Sequence, residues 1–190
     1  MAKSVASQFD RPAAIVGHSM GGLIALELAR TRPELVERLV LTGTSTSIEV
    51  NPNLQEAADK RLEQAVSMIV GWSYDPIGRL GGHPDPGIAP AIVSGRLLES
   101  ELGNLGIDLR ATGAYKRGAD AATSIKVPTL IIAGELDRMV SLNSVRRLAE
   151  AVDGAQLEIV ERAGHMMVTE APNEVRELLA SFLLLTFRPA

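Results

Sequence analysis

The sequence predicts an α/β fold, a parallel sheet flanked by helices and interrupted by a helical insertion. Short apolar runs of strand length stand at residues 13–17, 38–42 and 127–134, the pattern of strands buried on both faces of a parallel sheet. Helix-length segments alternate with these runs, and such alternation goes with parallel strands. Between residues 44 and 124 the alternation stops and helical periodicity takes over.

The run Ala13-Ala14-Ile15-Val16-Gly17 reads as the first strand, and residues 1–8 as the end of a helix leading into it. A helix follows over residues 20–30, with Pro33 just beyond it, where proline commonly follows a helix end. Arg38-Leu39-Val40-Leu41-Thr42, closed by Gly43, completes a β-α-β unit. The third strand is residues 127–134. Ser141 then caps a helix with Val145, Leu148, Ala149 and Val152 on one face, stopped by Gly154. A fourth strand is expected at residues 156–161. The last helix starts near Pro172, a good first helical position, and places Val175, Leu178, Leu179, Phe182 and Leu183 at helical spacing.

Within the insertion, Leu54, Ala58, Leu62, Ala65 and Ile69 mark one amphipathic helix, residues 81–87 form a Gly/Pro loop, and residues 91–102 and 107–118 read as shorter helices. The expected division is a core of residues 1–43 and 125–190 with a cap of residues 44–124. Its position between the second and third strands sets the cap over the carboxyl ends of the strands, where open α/β sheets bind ligands.

Composition narrows the chemistry. The 190 residues are 46% hydrophobic and 22% charged with net charge −4, an ordinary globular balance for one core and a subdomain. Lys and Arg (19) against Asp and Glu (23) are scattered, so no basic stripe favours nucleic acid or a membrane surface. The absence of cysteine excludes disulfides, thiolate metal sites and a cysteine nucleophile, and three dispersed histidines (18, 83 and 165) make no His-rich metal site. Any nucleophile is therefore oxygen or amine, and no metal or organic cofactor is expected. The amino terminus has no signal-like apolar stretch and no run approaches the ~20 residues of a membrane span; a cytoplasmic location is the corresponding expectation.

Gly17-His18-Ser19-Met20-Gly21 matches G-x-S-x-G at a strand-to-helix junction, where a sharp turn presents a serine hydroxyl. Gly17, Gly21 and Gly22 are expected to make room for the turn. The helix starting at Met20 aims N–H groups and its positive dipole end at the serine, making the Met20 N–H a candidate oxyanion donor. A serine hydroxyl needs a histidine base, and that base a carboxylate. His18 adjoins the serine and reads as a packing or loop-anchoring residue, while His83 sits in the insertion loop. His165 follows the fourth strand at the carboxyl-end rim and is the expected base. Glu135 and Asp137 both follow the third strand; the shorter Asp137, further out on the turn, is preferred as the orienting acid, and Glu135 reads as a solvated turn residue. Met68, Trp72 and Tyr74, with Ile69, Val70, Ile77 and Leu80, are candidates for an apolar pocket. Arg79, Arg96 and Arg110 are candidates for binding a substrate carboxylate.

Three segments, Gly17-His18-Ser19-Met20-Gly21-Gly22, then residues 127–137 ending in Gly134-Glu135-Leu136-Asp137, then Ala163-Gly164-His165, resemble the α/β-hydrolase superfamily over nearly the whole chain. The resemblance implies Ser19 as nucleophile, Asp137 as orienting acid, His165 as general base and residues 44–124 as the cap, in a serine hydrolase cleaving carboxylic esters of small molecules. Dehalogenase and epoxide hydrolase relatives carry aspartate at the serine position, which disfavours those activities here. C–C bond hydrolase, lactonase, thioesterase and perhydrolase chemistry stay open on the same residues, as does a non-catalytic small-molecule-binding or inactive truncated relative. The family sheet usually has about eight strands, with the nucleophile strand fifth. Only one short segment precedes that strand here, so a partial fold is expected, lacking the loop that supplies the second oxyanion N–H; one such donor is worth about 2.7–4 kcal/mol.

Overall fold

The structure, a computed structural model, describes residues 1–74 and 104–184. Among the described residues four strands, β1 (Ala13–His18), β2 (Val36–Thr42), β3 (Thr129–Gly134) and β4 (Gln156–Val160), pair in that order, every neighbouring pair parallel. Among the described residues the helices are α1 (Ala2–Ala6), α2 (Met20–Thr31), α3 (Pro52–Lys60), α4 (Leu62–Ser73), α5 (Asn104–Ala114), α6 (Gly118–Ser124), α7 (Leu142–Ala151), α8 (Met167–Glu170) and α9 (Pro172–Leu184), with a 3₁₀ turn at Pro33–Leu35. None is long and apolar enough to cross a membrane.

Strand alternation builds two cores. Leu39, Leu41, Ile131 and Ala133 point to one face and pack with Leu23 and Leu26 of α2, Ala121 and Ala122 of α6, and Val145 and Leu148 of α7. Val40, Leu130, Ile132 and Val160 point to the other, under Met167 of α8 and Val175 of α9. Each fully buried Leu, Ile or Val contributes roughly 1.5–3 kcal/mol over its exposed state. The double-sided apolar runs of β2 and β3 are thereby explained. β1 departs from the expectation: Ile15 is buried, whereas Val16 on the opposite face is 52% exposed. The second core is built on β2, β3 and β4, and β1 is the edge strand among the described residues.

Two expected helices are broken. The single helix expected over Leu54 to Ile69 is α3 and α4, divided at Arg61 (φ −148°, ψ 68°). The division lets Leu54 and Ala57 of α3 pack with Ala65 of α4 and Leu105 of α5 in a third, smaller cluster. The helix expected over residues 107–118 ends at Ala114, and Gly118 opens a separate one. The loop at 81–87 and the helix at 91–102 lie outside the described residues. Asn51 accepts from the Asn53 N–H at the head of α3, and Ser141 caps α7 by accepting from Ser144 N–H.

Parallel pairing aligns the carboxyl ends of the strands. His18 pairs with Thr42, Thr42 with Ile132, and Gly134 with Val160, so the segments leaving β1, β3 and β4 emerge on one rim. At that rim Gly134 permits a close approach, because a Cβ there would stand 2.1 Å from the Gly164 carbonyl oxygen and 2.6 Å from that of Ala163. A Cβ on Gly21 would meet nothing within 4 Å, contrary to the expectation that this glycine makes room for the turn. Gly134→Ala is therefore expected to destabilise the protein by about 1–3 kcal/mol through displaced backbone, while Gly21→Ala is expected to be neutral or stabilising by up to about 1 kcal/mol. Urea unfolding of the two variants checks the contrast.

Candidate active site

Ser19 sits where β1 turns into α2, with φ 52° and ψ −120°. A positive φ at a non-glycine residue costs of order 1–3 kcal/mol and persists only where the surroundings enforce it. Here the Ser19 N–H donates to the Thr42 carbonyl at 2.9 Å, extending the β1–β2 ladder by one residue, and its own carbonyl accepts from Gly22 N–H at 2.9 Å. Its side chain makes no capping hydrogen bond to α2. The turn is tight: a Cβ on Gly17 would lie 2.5 Å from the Gly21 carbonyl oxygen. Met20 opens α2, and the first N–H groups of a helix have no intrahelical acceptor.

Asp137 and His165 meet across the ends of β3 and β4. The His165 Nδ1 lies 2.8 Å from Asp137 Oδ2, with the two side chains 5% and 1% exposed. The other carboxylate oxygen, Oδ1, accepts the N–H groups of Met139 and Val140, both at 2.8 Å. Asp137 is thus held by its own turn and presents one oxygen to the imidazole. Glu135 faces elsewhere, accepting the Arg162 N–H at 3.0 Å. The His165 segment is tied from several sides: Leu136 N–H to Ala163 carbonyl (2.9 Å), Met166 N–H to Ser73 carbonyl at the end of α4 (3.0 Å), and Gly164 N–H to Glu170 Oε2 (2.9 Å).

His18 is both packed and anchored. Its Nδ1 is 2.9 Å from Thr42 Oγ1, and its ring lies 4.8 Å from that of His165, tilted by 47°. Gly43, at φ +53°, leaves space for both rings. Burial, reinforced by the neighbouring His165, lowers the His18 pKa to about 4 against the opposing pull of Asp137 and hydrogen bonding to Thr42. His18 is therefore neutral near pH 7. Sequence reasoning missed its link to His165; the signal was present in Thr42-Gly43, a hydroxyl and a glycine ending the neighbouring strand.

Ser19, Met20, His18 and His165 line one cavity of about 590 Å³. Trp72 and Tyr74 line it as well, joined by Ile48, Val50, Leu54, Ile69, Val70, Leu105, Leu109, Met139 and Met166. Met68 does not; like Ile69 and Trp72 it packs against the cluster of Leu54, Ala57, Ala65 and Leu105, but it does not reach the cavity. Arg110 is also elsewhere, ion-paired with Asp59 on the surface. The charged side chains lining the cavity, among the described residues, are Glu49, Asp108 and Arg138. His83, Ile77, Arg79, Leu80 and Arg96 lie outside the described residues.

Residues 1–172 match the family model described as serine aminopeptidase, S33. The chain belongs to this α/β-hydrolase family. Among curated proteins it is 28% identical over 184 residues to the pimeloyl-(acyl-carrier protein) methyl ester esterase of Aromatoleum aromaticum, covering 88% of this chain and 72% of that protein. Among solved structures it is similar to a thermophilic esterase (26% identity, TM-score 0.80, 96% of this chain and 69% of that one). It shares the fold of the enol-lactonase from Burkholderia xenovorans LB400 (21% identity, TM-score 0.85, 96% and 71%). The chain spans about two thirds of the length of the curated relatives it matches, 65% for the putative 2-succinyl-6-hydroxy-2,4-cyclohexadiene-1-carboxylate synthase of Bacillus subtilis.

In this α/β-hydrolase the neutrality of His18 has a cost in acid. Its folded-state pKa, about 4, lies below the ordinary 6.5, so the unfolded chain binds the extra proton first. Stability from this group is complete above pH 6.5, falls as the pH drops toward 4, and is then lost by roughly 3 kcal/mol. His18→Gln is expected to flatten that limb of a stability-versus-pH curve measured by urea unfolding.

Proposed function

We propose that the protein is a serine hydrolase cleaving carboxylic esters of small molecules with an apolar acyl group, with residues 44–124 acting as the cap over the site. The observation that carries this reading is the 2.8 Å contact of His165 Nδ1 with a buried Asp137 that its own turn immobilises, on the cavity that Ser19 also lines. An imidazole whose Nδ1–H is held by a carboxylate keeps Nε2 unprotonated and able to take a proton.

The steps follow from those roles. Ser19 Oγ attacks the ester carbonyl as its proton passes to His165 Nε2; Asp137 stabilises the imidazolium; the tetrahedral oxyanion is met by the Met20 N–H at the head of α2. His165 then gives the proton to the leaving alkoxide, which departs as the alcohol. Water, deprotonated by the same nitrogen, attacks the acyl-serine and releases the acid. A neutral His18 beside His165 adds no second positive charge when the imidazolium forms. The apolar cavity wall suits an uncharged acyl chain, with Trp72 and Tyr74 as pocket residues.

Labelling with a fluorophosphonate probe tests the assignment. Ser19→Ala is expected to abolish labelling and turnover of a p-nitrophenyl ester, and Asp137→Asn to lower kcat by about 10⁴-fold through the wrong imidazole tautomer. Undiminished turnover in Ser19→Ala would remove the nucleophile.

A further inference from the structure

One buried acid has no part in the chemistry above. Glu170, the last residue of α8, is 3% exposed, and its Oε2 accepts the Gly164 N–H at 2.9 Å. Its neighbours Met167, Ala171 and Val175 belong to the second apolar core. A methionine or leucine at position 170 would fill similar volume without the cost of desolvating a carboxyl group. What neither would supply is an acceptor for the Gly164 N–H.

That N–H belongs to the residue immediately before His165. The Gly164 carbonyl rests against Gly134, the Ala163 carbonyl is taken by Leu136 N–H, and Met166 N–H is taken by Ser73. These other ties run through main chain on β3's exit turn and on α4. Glu170 supplies a side-chain tie, reaching back six residues from α8 to the loop it follows.

We propose that Glu170 is a positioning residue for His165: by accepting the Gly164 N–H it orients the peptide that carries the imidazole, so that Nδ1 meets Asp137 and Nε2 remains available to Ser19. The proposal rests on the Ser19, His165 and Asp137 assignment. It requires an acceptor oxygen at position 170 rather than a negative charge, because a neutral amide oxygen serves the same N–H.

Glu170→Gln and Glu170→Met separate this role from packing. The expected result is fluorophosphonate labelling of Ser19 about 10–100-fold slower in Glu170→Met, the scale of loss for a misplaced reacting group, and within about threefold of native in Glu170→Gln. For p-nitrophenyl ester turnover the loss is expected in kcat with KM little changed. The low-field proton resonance of His165 Nδ1–H is expected to persist in the native chain and in Glu170→Gln and to be lost in Glu170→Met. Native labelling rate and an intact resonance in Glu170→Met overturn the role, as does Glu170→Gln as slow as Glu170→Met. Amide exchange of Gly164 in the native chain decides the matter even if Glu170→Met unfolds: a protected amide is expected, and free exchange overturns the proposal. A native chain that never labels overturns the Ser19 assignment instead, while exchange and the His165 resonance still report on Glu170.

Discussion

Parallel strand pairing is the constraint on which the site depends. Ser19, Asp137 and His165 are separated by 118 and 28 positions in the chain, yet each is found just past the carboxyl end of a strand. The register that pairs His18 with Thr42, Thr42 with Ile132 and Gly134 with Val160 places all three exits on one rim. Antiparallel pairing would send alternate exits to opposite ends. The two apolar cores hold that register, since sliding a strand by one residue would turn its buried side chains to the wrong face.

Local chemistry then refines what the sheet has placed. Asp137 spends one oxygen on the N–H groups of Met139 and Val140 and keeps the other for His165, so the carboxylate cannot swing away without orphaning buried donors. Ser19 is held at its unfavourable dihedral by ladder hydrogen bonding to Thr42. The second strand thereby supports the first residue of the site through its main chain and the adjoining His18 through its Thr42 side chain.

Much of this was legible in the sequence. Continuous apolar runs located β2 and β3, the glycine-flanked serine located the turn, and the placement of Asp137 and His165 after strands set them on the rim. What periodicity could not show was the division of the insertion at Arg61, where no glycine or proline marks a helix end and the cause is packing between α3, α4 and α5. It also could not tell that Val16 is exposed, because an apolar run looks alike whether one or both faces are covered. Met68 and Trp72 lie four residues apart on one helix and pack against the same small cluster, yet only Trp72 also lines the cavity, a difference that a pattern of apolar residues cannot show. The partners of His18 and Glu170 escaped notice for a different reason: Thr42 with His165, and Gly164, are brought to them only in three dimensions.

The tie between α4 and the His165 loop has an evolutionary corollary. Met166 is bound to the carbonyl of Ser73, an atom every amino acid possesses, so the anchorage is indifferent to side-chain identity at that position. Neighbouring residues of α4, among them Ile69, Val70 and Trp72, reach the cavity with their side chains. Substrate preference can therefore drift by exchange of those side chains while His165, the proposed general base, stays moored, a separation of recognition from reactivity written into which atoms carry each.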